Sequence, residues 1–96
     1  MIITSPSPPV EIPSVPLADY ILEHAHLRAD HAALIDGSDG REVTYEALCR
    51  HVDAVAVGLA EHGLASGDVV GIFAQNVVEY PAAFLGVTRA GGTNTT

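Results

Sequence analysis

The sequence has no lysine. Its cations are four arginines, set against twelve acids for a net charge of −8. A balance this acidic repels phosphate backbones, which argues against nucleic acid as a partner. It disfavours an anionic membrane surface for the same reason. There is no Gly-x-x-x-x-Gly-Lys, and no Gly-x-Gly-x-x-Gly opens a helix, so neither common phosphate cradle is present. The one cysteine, Cys49, excludes an internal disulfide and suits a cytoplasmic protein. The start, MIITSPSPPVEIPSVP, has neither a basic leader nor a long apolar run, so it reads as neither signal peptide nor anchor. No stretch approaches the roughly 20 apolar residues of a membrane span.

What is present is enough for a core. Hydrophobic residues make up 48% of 96 residues, ample for one small α/β domain and too many for a disordered chain. A unit of this size buries a modest share of its surface and is marginally stable alone. Residues 1–16 hold all but one of the prolines and are expected to run as an extended arm. Ser14 is a candidate N-cap, and Leu17, Ile21 and Ala25 recur at helical spacing, predicting a helix over 17–28. Ala32–Asp36 and Arg41–Thr44 read as two strands joined through DGSDG, a hairpin with a loop of about five residues.

Thr44 is placed to cap a helix over 45–62. Leu48, Val52, Val55, Ala56 and Leu59 share one stripe of it, with Glu46, Arg50, Asp53 and Glu61 opposite. Val57 falls on the polar side, and Gly63 is expected to end the helix in the left-handed conformation. Val69–Ala74 is a nearly continuous apolar run, as in a strand buried on both faces. The stripe is expected to pack against it. Asn76 and Glu79 have capping-box spacing for a helix over about 77–90, with Pro81 calling for a distorted first turn or a later start. Gly91-Gly92 ends that helix and Thr93–Thr96 leads into another strand. Strand, helix and strand then form a parallel crossover, and the chain reads as a fragment that stops near the start of its last strand.

Two blocks resemble known motifs. VTYEAL at 43–48 is similar to the first core motif of adenylate-forming enzymes, and GVTRAGG at 86–92 to the second. The HGLASGDVVGIFAQNVVEYPAAFLG between them looks like the segment that links these motifs in acyl-CoA ligases of the 4-coumarate–CoA ligase and long-chain branch. Ala47 departs from the first motif, which often has Glu there; Glu at that position would complete a capping box with Thr44. The resemblance runs from Leu17 to Thr96 and covers only the opening of enzymes several hundred residues long. It implies a mixed-sheet α/β fold, the incomplete start of a large N-terminal domain over 17–96. It also implies a parent that activates a carboxylic acid with ATP and Mg²⁺ and passes the acyl group to CoA. The family's phosphate loop and catalytic lysine lie downstream of this stretch, so no catalytic, cofactor-binding or metal residue is carried onto it, and the chain alone is expected to be inactive.

His24 and His26 share a face only on a strand, and on a helix they diverge by about 200°. His31 lies in a loop, and His51 and His62 stand far apart along a helix, so solvent-facing histidines are expected and no metal site. Cys49, at the edge of the apolar stripe, reads as a buried structural thiol. Asp36 and Asp39 could open a calcium loop, but the closing ligands are missing, and a turn is expected. Thr93-Asn94-Thr95-Thr96 could touch phosphate, but a strand fits better. Two rival readings remain: a stand-alone acidic carrier or interaction module, and a doubly wound nucleotide-binding half-domain. The first lacks an Asp-Ser-Leu attachment site and the second a glycine phosphate turn. Uncovered strand edges predict association as a homodimer or larger species.

Overall fold

Thr44 ends one element and begins the next. It closes strand β2 (Glu42–Thr44), and its side chain caps helix α2 (Tyr45–Glu61) by accepting a hydrogen bond from the Ala47 amide at 3.2 Å. The two amides before that one are also satisfied: Tyr45 N donates to the His31 carbonyl and Glu46 N to Ala29, each at 3.0 Å. The start of α2 is thereby fastened to the loop that precedes the hairpin, and three of its orphan donors are used. The structure, a computed structural model, describes residues 1–96.

The hairpin forms as expected. β1 (Ala32–Ile35) pairs antiparallel with β2, with an irregularity between Ala32 and Leu34. The arm 1–16 has no helix or strand and is exposed throughout. The helix expected over 17–28 is divided. α1 spans Leu17–Ile21, Leu22 closes it, and Ala25–Arg28 is a separate 3₁₀ turn. Pro16, with φ −57° and ψ 146°, occupies the cap position instead of Ser14. The buried face is Ala18, Leu22 and Ala25, not Leu17, Ile21 and Ala25; Leu17 is 49% and Ile21 54% exposed. Periodicity finds a helix but cannot choose between two adjacent stripes, and packing against α2 and α3 makes the choice.

The α2 stripe is the centre of the core, but its partner differs from the expected one. Leu48 and Val52 are buried, and Val57 faces out. They join Ala18, Leu22, Ala25, Ala82 and Leu85 in one cluster, so α2 packs on helix α3 (Tyr80–Arg89) and not on the strand 69–74. The reason lies at Gly86. A Cβ built on it would sit 2.5 Å from Val55 Cβ and 3.2 Å from the Val52 carbonyl oxygen. Only glycine lets the two backbones approach so closely.

α3 begins at Tyr80, later than 77. Glu79 is its cap residue, without a side-chain bond, so the Asn76–Glu79 capping box does not form. Pro81 explains the shift: it falls in the first turn, where its missing N–H breaks no helical bond. Both long helices end alike. Gly63 N bonds to Ala60 O at 3.1 Å and Leu64 N to Leu59 O at 3.0 Å; Gly91 N bonds to Thr88 O at 3.1 Å and Gly92 N to Val87 O at 2.9 Å. These are Schellman closures, and Gly63 (φ 91°) and Gly91 (φ 88°) supply the left-handed residue each requires.

β3 (Val69–Gly71) and β4 (Thr93–Thr95) pair in parallel through α3, as the crossover predicts. The strand is shorter than 69–74 and is not buried on both faces. Val69 is 65% exposed and Phe73 fully so. The reason is that the two strands form a sheet of their own, with α3 against one face and the other face exposed. Ten of the 96 residues are buried. The radius of gyration is 15.9 Å, against about 13 Å for a closed domain near 100 residues. The exposed arm enlarges this value, and the β3–β4 side is open at Val69 and Phe73.

Gly86→Ala is expected to cost about 1–3 kcal/mol by overpacking, seen as a lower urea midpoint at unchanged slope. Gly58→Ala, where a new Cβ meets nothing within 4 Å, is expected to gain about 0.4–1 kcal/mol. A Gly86→Ala chain as stable as the unsubstituted one would show that α2 and α3 can part without loss.

Candidate functional site

The fold scatters most of the residues weighed for chemistry. All five histidines are exposed. His24 lies 3.8 Å from Glu23, and His62 Nδ1 lies 2.7 Å from the Gly58 carbonyl at the end of α2. No three His, Cys, Asp or Glu side chains gather in a group able to hold a metal ion. Cys49 is half-buried, less enclosed than a core thiol. It helps line a shallow cleft of about 350 Å³ between the 3₁₀ turn and α2, with Ala25, His26, Tyr45, Arg50 and Asp53 around it.

Thr93-Asn94-Thr95 is strand and not a phosphate loop. Thr93 N donates to the Asp68 carbonyl at 2.7 Å and Ile72 N to Thr95 at 2.9 Å, so these groups are used in the ladder. Asn94 Nδ2 donates to the Phe84 carbonyl at 3.1 Å and ties β4 to α3; its Oδ1 is buried without a partner. Ahead of β3, Asp68 Oδ2 accepts from Ala65 N at 2.8 Å, which shapes the Gly63–Asp68 link.

DGSDG is a turn held by its own side chains. Asp36 Oδ1 accepts from Ser38 N at 2.8 Å and from Ser38 Oγ at 2.6 Å, and Asp39 Oδ1 accepts from Arg41 N at 2.8 Å. The Ser38 hydroxyl and then the Ser38 amide hold the Asp36 carboxyl below its ordinary 3.8. Arg41 reaches across to Glu79 at 2.9 Å and joins the hairpin to the start of α3.

The polar cluster that joins three helices is centred on Arg89, at the end of α3. Its Nε donates to Asp19 Oδ1 of α1 at 3.1 Å, and its Nη1 donates to Asp53 Oδ1 of α2. Burial works against the charge on Arg89, but the hydrogen bond and field of Asp53, with those of Asp19, outweigh it and hold the guanidinium above its usual range. The planar fork of arginine suits two carboxylates approaching from different helices. Sequence reading missed this cluster. Its members lie 70 and 36 residues apart, so no local spacing marks them. The arrangement binds three helices together.

Residues 21–96 match the family described as AMP-binding enzyme. 4-Coumarate–CoA ligase 5 of Oryza sativa subsp. japonica is 39% identical over 93 residues, covering 93% of this chain and 17% of the relative. The nonribosomal peptide synthetase FmoA3, solved in its α-methyl-L-serine-AMP bound form, has a TM-score of 0.80 and 30% identity over 88% of this chain and 9% of that one. The N-terminal subdomain of NpsA from Klebsiella oxytoca has a TM-score of 0.75 and 28% identity over 82% of this chain and 20% of that one. The chain therefore spans about a sixth of the curated relative it matches, at 17% of its length.

Ser38→Ala is expected to raise the Asp36 pKa toward 3.8, because it removes the largest stabiliser of the charged form. A carboxyl whose folded pKa is depressed stabilises the fold above its unfolded pKa, and that contribution is lost as pH falls through the folded value. Acid unfolding of the Ser38→Ala chain should therefore begin at higher pH. Carboxyl NMR shifts read the titration, and equal Asp36 midpoints in the two chains would show that Ser38 does not set it.

Proposed function

The chain belongs to the AMP-binding enzyme family, and we propose that it is the opening scaffold of an ATP-dependent carboxylate–CoA ligase of the 4-coumarate–CoA ligase kind. Such an enzyme joins an acid to AMP with release of pyrophosphate, then moves the acyl group to the CoA thiol. The observation that carries the reading is that both motif blocks are built into one packed unit. Thr44 and Tyr45 start α2, Gly86 seats α3 on it, and Gly91-Gly92 returns the chain to pair beside β3. The Oryza sativa relative, a 4-coumarate–CoA ligase 39% identical to this chain, supports an aromatic acid as substrate.

ATP, Mg²⁺ and CoA do not fit the residues present. There is no lysine and no phosphate loop, the α2 amides are already bonded, and no acidic or histidine group converges. No step of the reaction is assigned to this stretch. Its part is to supply α2, α3 and the first parallel strands of the domain that holds the site. The lone half-buried thiol supports a cytoplasmic setting, and no helix is long and apolar enough to cross a membrane. A stand-alone acidic carrier is the rival. Four-helix carriers have no use for the parallel β3–β4 pair, so a circular dichroism spectrum of nearly pure helix would favour the carrier instead.

Pyrophosphate exchange is the direct test. The 96-residue chain should match the blank with cinnamic and fatty acids, while a longer protein that includes it should exchange with one of them. Exchange by neither would overturn the ligase reading.

Association is a second expectation. Val69 and Phe73 lie open beside unpaired strand edges, which recruit other strands and apolar surfaces. Light scattering behind a sizing column should give the mass of a dimer or larger species. A monomer mass held to high micromolar concentration would show that these faces do not pair.

A further inference from the structure

Acyl-adenylates are mixed anhydrides that acylate amines. The amine nitrogen attacks the acyl carbon, and the bond from that carbon to the phosphate oxygen breaks. AMP leaves with the bonding pair, and the proton of the amine passes to water. A protein that makes such a compound exposes its own lysines to it. Residues 17–96 contain none: every cation is a guanidinium, on Arg28, Arg41, Arg50 and Arg89. Arginine stays protonated in proteins and does not offer a free amine.

Position 89 is where the difference has a structural consequence. The Arg89 side chain is 25% exposed and lies between Asp19 of α1 and Asp53 of α2. A lysine there could supply the same charge. Once acylated, it would lose that charge. Asp19 and Asp53 would then share no cation, and an acyl group would have to fit among three helices.

We infer that the all-guanidinium composition closes residues 17–96 to amide formation by acyl-adenylates, and that Arg89 is the tie this protects. The inference rests on the ligase reading for the source of the adenylate. Adducts on Cys49, hydroxyls or imidazoles are separable from it, because hydroxylamine cleaves thioesters, reactive esters and acyl-imidazoles and leaves amides.

The 96-residue chain is incubated with synthetic 4-coumaroyl-adenylate, treated with hydroxylamine, digested and mapped by mass spectrometry. Amides are expected at the chain's terminal amine and nowhere in 17–96, with the melting temperature unchanged. Arg28→Lys, at an exposed position, should gain an amide at 28 and melt as before. Arg89→Lys should gain one at 89 and melt about 5 °C or more below its mock-treated self. Amides within 17–96 of the unsubstituted chain would overturn the inference, as would an Arg28→Lys chain that stays unmodified. Modification at 28 but not at 89, or at 89 without a lower melting temperature, would overturn the role given to Arg89. Because the adenylate is added, the result is independent of whether a longer protein makes one, which pyrophosphate exchange decides.

Discussion

The close approach of α3 to α2 at Gly86 is the constraint on which the other contacts depend. With no side chain at 86, the α3 backbone rests against Val55 and the Val52 carbonyl. That approach brings Ala82 and Leu85 to Leu48 and Val52, and the core cluster closes around them. It also fixes where α3 ends, and so where Arg89 can reach and where the chain turns back.

The motifs of this stretch are geometric requirements and not reacting groups. Thr44 is needed because three helix amides at the start of α2 must be satisfied, and it satisfies the third. Gly63 and Gly91 are needed because each Schellman closure passes through a left-handed residue. Asp68 holds the turn before β3, and Asp36 and Asp39 hold the hairpin loop, by accepting from nearby amides. Charge is used in the same way. Arg41 and Arg89 each join elements that are remote in sequence. Since every such cation is a guanidinium, these ties keep their charge wherever acylating chemistry is carried out.

The body is closed on its helical side and open on its sheet side. Leu48, Val52 and Ala82 are covered, while Val69 and Phe73 are not. Parallel sheets are ordinarily covered on both faces, and two strands of three residues do not provide a layer of their own. This division suits a scaffold whose sheet continues into a larger domain. The polar side chains with long-range partners, Arg41, Arg89 and Asn94 Nδ2, hold elements together.

Much of this architecture was legible from local chemistry. The hairpin, the Thr44 cap, the α2 stripe, the glycine helix ends and the parallel return all follow from patterns within a few residues, because caps, turns and periodicity are short-range. The DGSDG turn was equally plain, since Asp and Ser bond to amides two residues on. Other features depended on what each element meets. Which face of α1 is buried was settled by α2 and α3, where Ala18 and Leu22 fit and Leu17 and Ile21 do not. Pro81 allowed two starts for α3, and the observed one puts it where its missing N–H costs nothing. An apolar run such as Val69–Ala74 specifies a strand that wants cover but not whether cover is there. The Arg89 cluster arises from positions 70 and 36 residues apart, and only the packing of three helices brings those charges together. By itself the sequence determined the kind and order of the main elements, the glycine ends of the two long helices and the family. The tertiary structure decided which faces pair and which charges meet, because those are set by distances between elements and not by spacing along the chain.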